Sequence, residues 1–123
     1  MYEVGIKAHF SAAHRLIDYK GSCASFHGHN WEIEVYVSGD TLDSVGILVD
    51  FRELKCSVSS VLEQVDHRDL NEVEAFRECN PTSENIARFL FGEFSQTLDC
   101  DRYAVSRVVV HETPGSVATY SRG

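Results

Sequence analysis

The chain has 123 residues, a formal net charge of −8 and four cysteines. That length suits one domain of ordinary size, expected to span residues 1–123, with enough chain to bury a core unaided. The acidic balance excludes a broad nucleic-acid surface, which needs clustered Lys and Arg, and no apolar run approaches the roughly 18 residues of a membrane helix.

Residues 2–10 alternate, with Val4, Ile6, Ala8 and Phe10 on one face, the period-2 pattern of a half-buried strand. Residues 1–7 read as folded, charged sequence rather than a secretory leader. The cysteines, Cys23, Cys56, Cys79 and Cys100, form no CxxC pair. Disulfides are therefore not expected, a reducing cytoplasm is, and Cys56, Cys79 and Cys100 are expected as small buried hydrophobes. Trp31, Ile33, Val35 and Val37 form a second alternating strand, ended by Ser38-Gly39-Asp40. Asp50 with Glu53 reads as a capping box, after which Phe51, Leu54, Val58, Val61, Leu62 and Val65 recur at helical spacing.

Residues 66–79 are polar and read as a loop. Asn80-Pro81-Thr82-Ser83-Glu84 then opens a second helix, capped by Thr82 or Ser83, with Ile86, Ala87, Phe89, Leu90, Phe94 and Leu98 as its apolar face. Residues 103–112 return to strand chemistry, Thr113-Pro114-Gly115 turns, and residues 117–120 make a last short strand. The order ββααββ predicts an α+β domain: an antiparallel four-stranded sheet with two helices on one face.

The chemistry concentrates around Cys23-Ala24-Ser25-Phe26-His27-Gly28-His29. A His-x-His pair on a strand aims both imidazoles to one face, and Gly28 between them adds no side chain to crowd it. His27 and His29 share the odd parity of Trp31 and Ile33, so a straight strand points them inward. His14 shares the even parity of Ala8 and Phe10, provided that no bulge intervenes at residues 11–13. Three histidines would leave a fourth metal position for water or substrate. Zinc suits this set best, although nitrogen ligands admit other divalent ions. Cys23, beside a metal or imidazolium, is a candidate nucleophile, general base or fourth ligand, against the plainer reading of a small buried hydrophobe. Asp66-His67 is a carboxylate–imidazole pair of the kind that tunes a base. Glu112, at the end of a valine-rich strand, could accept two N–H bonds from a heterocycle edge. His9 falls on the polar face and is given no role.

Together, Ala12-Ala13-His14-Arg15-Leu16, the Cys23–His29 segment with Asn30, Val49-Asp50-Phe51-Arg52-Glu53-Leu54-Lys55, Asp66-His67-Arg68-Asp69-Leu70-Asn71, Asn80-Pro81-Thr82-Ser83-Glu84 and His111-Glu112-Thr113 resemble the 6-pyruvoyl-tetrahydropterin synthase superfamily. The resemblance runs from residue 10 to residue 120. It implies the tunnelling fold and ring-shaped homo-oligomers, usually hexamers, with active sites at subunit interfaces. The spacing Cys23-x₃-His27-Gly28-His29 resembles the 6-carboxytetrahydropterin synthase branch.

That branch converts 7,8-dihydroneopterin triphosphate into 6-carboxy-5,6,7,8-tetrahydropterin, releasing acetaldehyde and triphosphate on the way to queuosine. On this resemblance His14, His27 and His29 hold zinc, and Cys23 is the general base with His67 as its partner and Asp66 orienting it. Glu112 anchors the amino-pyrimidine edge, with Thr82, Ser83 and Glu84 near the ring. Arg15, Lys20 and Arg68 lie near these motifs, but no residue is assigned to the triphosphate. The alternatives are a 6-pyruvoyl synthase without side-chain cleavage, an aldolase-like member, and a non-catalytic zinc-containing pterin-binding module.

Overall fold

The computed structural model describes residues 1–17 and 26–122. Two 13-residue strands, β1 (Tyr2–His14) and β2 (His27–Gly39), are joined by an unbroken antiparallel register from Tyr2 opposite Gly39 to His14 opposite His27. No bulge interrupts residues 11–13, so the parity read from the sequence carries through to His14. Helix α1 (Phe51–Leu62) starts where Asp50 accepts a hydrogen bond from the Arg52 N–H. Helix α2 (Ser83–Leu98) starts at Thr82, whose hydroxyl accepts from the Asn85 N–H at 3.1 Å.

The sheet has five strands rather than the expected four. β3 (Arg68–Asp69) lies on the outer edge, parallel to Ala12 and Ala13 of β1, and the order is β3-β1-β2-β4-β5, with β4 (Ala104–Thr113) and β5 (Ser116–Ser121). The polar stretch 66–79 is therefore more than a loop. It also carries two 3₁₀ turns, Leu70–Glu72 and Glu74–Phe76, whose Leu70 and Phe76 enter the core. Two strand residues and single apolar anchors are too few to leave a periodic signal.

One sheet face packs beneath the helices. Ile6, Phe10, Trp31, Ile33, Val35, Val37, Val105, Val108 and Val110 meet Leu54, Val58, Ile86, Leu90 and Phe94, all buried. Each fully buried large side chain contributes on the order of 1.5–3 kcal/mol by leaving water. The other face is polar: Arg107 lies over the Tyr36 ring and pairs with Glu3, while Glu34 accepts from Tyr36 and lies 2.6 Å from Nε2 of His111. Gly5 belongs to this face because Tyr36 needs its space; a Cβ there would come within 2.5 Å of the Tyr36 ring.

Three further expectations fail. Cys56, Cys79 and Cys100 are exposed, not buried, because Cys56 is out of phase with Leu54 and Val58 on α1 and the other two occupy connections. Phe51, at the first helical position, is also exposed. Gly28 is not required for room, since a Cβ there would meet nothing within 4 Å. No helix among the described residues is long and apolar enough to cross a membrane.

Candidate metal centre

The end of the β1–β2 hairpin brings three histidines together on the helix-covered face. His14 and His27 are direct cross-strand partners, and His29 lies two residues along β2, opposite Ala12. Their ring centroids are 5.0 Å (His14–His27), 5.3 Å (His14–His29) and 4.5 Å (His27–His29) apart. Trp31, fully buried, forms the floor, with its ring 5.1 Å from that of His14 and 5.4 Å from that of His29. The site is thus dry on its Trp31 side.

His14 is 1% exposed, and its Nδ1 lies 2.8 Å from the carbonyl oxygen of Pro81. Only a donor satisfies that carbonyl, so Nδ1 carries the proton and Nε2 presents a lone pair to the cluster. Sequence reasoning missed this contact because a backbone carbonyl has no residue-type signature. Burial, opposed by the Glu112 carboxylate, holds the His29 imidazole below its ordinary pKa and favours the neutral form that binds metals.

Glu112 completes the cluster. It follows Val108 and Val110 at even spacing on β4, and the β4–β5 register shifts between His111 and Thr113, a bulge beside the site. Its Oε1 lies 2.9 Å from Nε2 of His29 and 3.5 Å from Nε2 of His14. Ser83, in the first turn of α2, donates to its Oε2 at 3.4 Å. One donor atom from each of His14, His27, His29 and Glu112 lies within 4.8 Å of all the others. Buried Nε2 atoms of His14 and His29 have no hydrogen-bond partner. Orphaned nitrogens facing a carboxylate fit a divalent cation, and the cluster can hold one.

The remaining expected residues are distributed around this cluster. Thr82 spends its hydroxyl on capping α2, Ser83 reaches Glu112, and Glu84 is exposed in the first helical turn. Asp66 accepts from the Ser11 N–H at 3.0 Å and lies 3.0 Å from Nδ1 of His67. The Ser11 N–H, with His67 second, holds the Asp66 carboxyl below the usual carboxylate range. His67 itself has a left-handed backbone (φ 58) and a side chain 82% exposed. No hydrogen bond, ion pair or ring contact joins it to His14, His29 or Glu112 among the described residues. Cys23 falls outside the described residues.

Two asparagines that sequence reasoning passed over fix the chain leaving β1. The Asn71 amide accepts from the Arg15 N–H and donates to the Arg15 carbonyl, and Asn80 does the same for Ile17. Each imitates a strand neighbour across one residue. A separate cavity of about 550 Å³, lined largely by Val4, Leu42, Ile47, Leu48, Val49 and Phe51, lies away from the histidines.

A largely antiparallel sheet backed by two helices, with a three-histidine cluster at the strand ends that can hold a metal, defines a tunnelling-fold protein. The family described as 6-pyruvoyl tetrahydropterin synthase matches residues 3–123, and the chain belongs to that family. It is a pterin synthase by kinship, with 6-carboxy-5,6,7,8-tetrahydropterin synthases among its relatives. The Bacillus subtilis 6-carboxy-5,6,7,8-tetrahydropterin synthase is 33% identical over 126 residues, covering 97% of this chain and 84% of the relative. The Drosophila melanogaster 6-pyruvoyl tetrahydrobiopterin synthase is 30% identical over 125 residues, covering 90% and 74%. The solved structure of Caenorhabditis elegans 6-pyruvoyl tetrahydropterin synthase superposes with a TM-score of 0.89 at 31% identity, covering 99% of this chain and 96% of that one.

Proposed function

We propose that the protein is a zinc-dependent 6-carboxytetrahydropterin synthase acting on 7,8-dihydroneopterin triphosphate, releasing acetaldehyde and triphosphate in the 7-deazaguanine branch that leads to queuosine. The observation that carries this reading is the cluster of His14, His27, His29 and Glu112 within 4.8 Å, in a chain whose Cys23-x₃-His27 spacing matches the carboxy-forming branch. Bound there, zinc supplies a Lewis acid for the substrate's side-chain oxygens.

The chain's own residues do the rest. Cys23 takes and returns protons at the substrate side chain as general base. His67 is its proton partner, held by Asp66, whose depressed pKa keeps the carboxylate charged and anchors Nδ1 so that Nε2 faces outward. Because His67 is exposed and makes no contact with His14, His29 or Glu112 in its own chain, it serves a site in a neighbouring subunit. The working unit is then a homo-oligomer, expected to be a hexamer in the cytoplasm, with active sites between subunits. Thr82, Ser83, Glu84 and Glu112 line the substrate's approach from α2 and β4, with Glu112 acting on the bound pterin.

Incubating the pure, zinc-loaded protein with dihydroneopterin triphosphate tests this directly. Acetaldehyde and the carboxypterin are expected. The likeness to the pyruvoyl enzymes of fly and worm favours one second reading, triphosphate elimination without side-chain cleavage, and the product mass decides between them. In the Cys23→Ala variant, turnover is abolished with zinc content unchanged. A pterin-binding protein without turnover under conditions where the Bacillus subtilis relative works would remove the catalytic reading altogether.

A further inference from the structure

The separation between Glu112 and His29 suits a hydrogen bond, but its direction does not. At 2.9 Å from Oε1, Nε2 of His29 still has no hydrogen-bond partner, and neither does Nε2 of His14 at 3.5 Å. A hydrogen-bonded pair would place the oxygen near the N–H axis. Nitrogen and oxygen here are close without pointing at each other, as atoms do when they converge on a third. A tetrahedral ion with metal–nitrogen and metal–oxygen bonds of about 2.0–2.2 Å sets its ligand atoms about 3.3–3.5 Å apart. The 3.5 Å separation of Glu112 from His14 matches that edge length, and the 2.9 Å separation from His29 is shorter.

We propose that Glu112 is the fourth inner-sphere ligand of the resting metal centre, so that the site is closed until substrate displaces the carboxylate. This rests on the metal-binding reading above and deepens it. Three neutral imidazoles leave a divalent ion with its full charge next to a histidine that is 1% exposed. A carboxylate ligand halves that charge where solvent is scarce. Ser83, 3.4 Å from Oε2 in the first turn of α2, steadies the oxygen not committed to the metal. When substrate oxygens take the metal position, the carboxylate is released within reach of the bound pterin, which gives Glu112 two successive roles. It also explains how a site that must admit substrate retains its metal between turnovers.

The full-length protein loaded with Co(II) tests the proposal through its visible absorption, without recourse to activity. The wild-type spectrum is expected to be indifferent to millimolar azide. Glu112→Ala opens the position, so azide changes the spectrum, and the variant releases zinc to a competing chelator at least tenfold more readily, the loss known even for outer-shell partners. Glu112→Gln keeps the side-chain shape and carries the same comparison if the alanine variant fails to fold. Azide acting equally on wild type and variant, or equal zinc retention in all three proteins, overturns the proposal. Wild-type protein that takes up no stoichiometric Co(II) or zinc would instead overturn the metal reading beneath it.

Discussion

Removing the metal should cost stability by an amount that follows from the two orphaned nitrogens. Nε2 of His14 and of His29 have no hydrogen-bond partner, and each buried unsatisfied polar group costs about 1–3 kcal/mol. The cost at His14, 1% exposed, belongs near the upper end; that at His29, with a side chain 21% exposed, belongs near the lower. The sum, about 3–4 kcal/mol, equals the stabilisation from a ligand at about 150 to 900 times its Kd. For a chain of this size, 1 kcal/mol moves Tm by about 3–6 °C, so saturating zinc should raise Tm by about 10–20 °C over chelator-treated protein. Thermal melts at fixed protein concentration measure it, because assembly also shifts Tm by mass action. A shift under about 2 °C, far below the several degrees that 1 kcal/mol produces, would refute the reasoning, since the nitrogens would then be satisfied without metal.

Three further outcomes follow from contacts outside the cluster. Asn71→Ala and Asn80→Ala each remove two hydrogen bonds to the chain leaving β1, so each should lose about 1–2 kcal/mol in urea unfolding; unchanged midpoints in both would sink the clamp. His67→Gly should abolish turnover while raising stability by up to about 1 kcal/mol, because φ 58 is costly for histidine and free for glycine; a lower Tm would argue against strain. Glu34 is held below the usual carboxylate range, first by the Tyr36 hydroxyl and then by His111. Its contribution is therefore complete above its unfolded value of about 4.3 and is lost as pH falls through the lower folded value, so Glu34→Gln should flatten the acid limb of stability against pH, and an unchanged limb would count against it.

The sequence is most legible where regular geometry extends over many residues. The 13-residue register of β1 on β2 carries the odd parity of His27 and His29 and the even parity of His14 onto one face, so strand parity alone brings the three histidines together. Asp50 and Thr82 announce both helix starts for the same reason, since caps act through their own side chains. β3 is illegible because two residues pairing with a strand more than fifty positions away carry no period. The cysteines mislead because small size describes a residue's capacity for burial and not the phase of the helix that carries it. Glu112 is legible in part. Its even spacing with Val108 and Val110 aims it at the histidine face, whereas ring chemistry alone suggests a more distant anchor.

Asp66-His67 is the remaining half of the proposed chemistry, and its position turns catalysis into a question about assembly. Within one chain the pair looks outward beside β1, while the histidine cluster lies beneath the helices. If His67 serves a neighbouring subunit's site, two inactive variants should repair each other. In randomly mixed oligomers of Cys23→Ala and His67→Ala, a site is intact when its thiol comes from a His67→Ala chain and its imidazole from a Cys23→Ala chain. That happens at about one quarter of heterologous contacts in a closed ring. Co-refolding equal amounts should therefore restore about a quarter of wild-type turnover per site, against nothing for either variant alone. If both residues act from the same chain, every site lacks one of them whatever the mixture, and the mixed protein stays inactive. Exchange of subunits, verified by mass from a tagged copy, makes that silence decisive against a shared site.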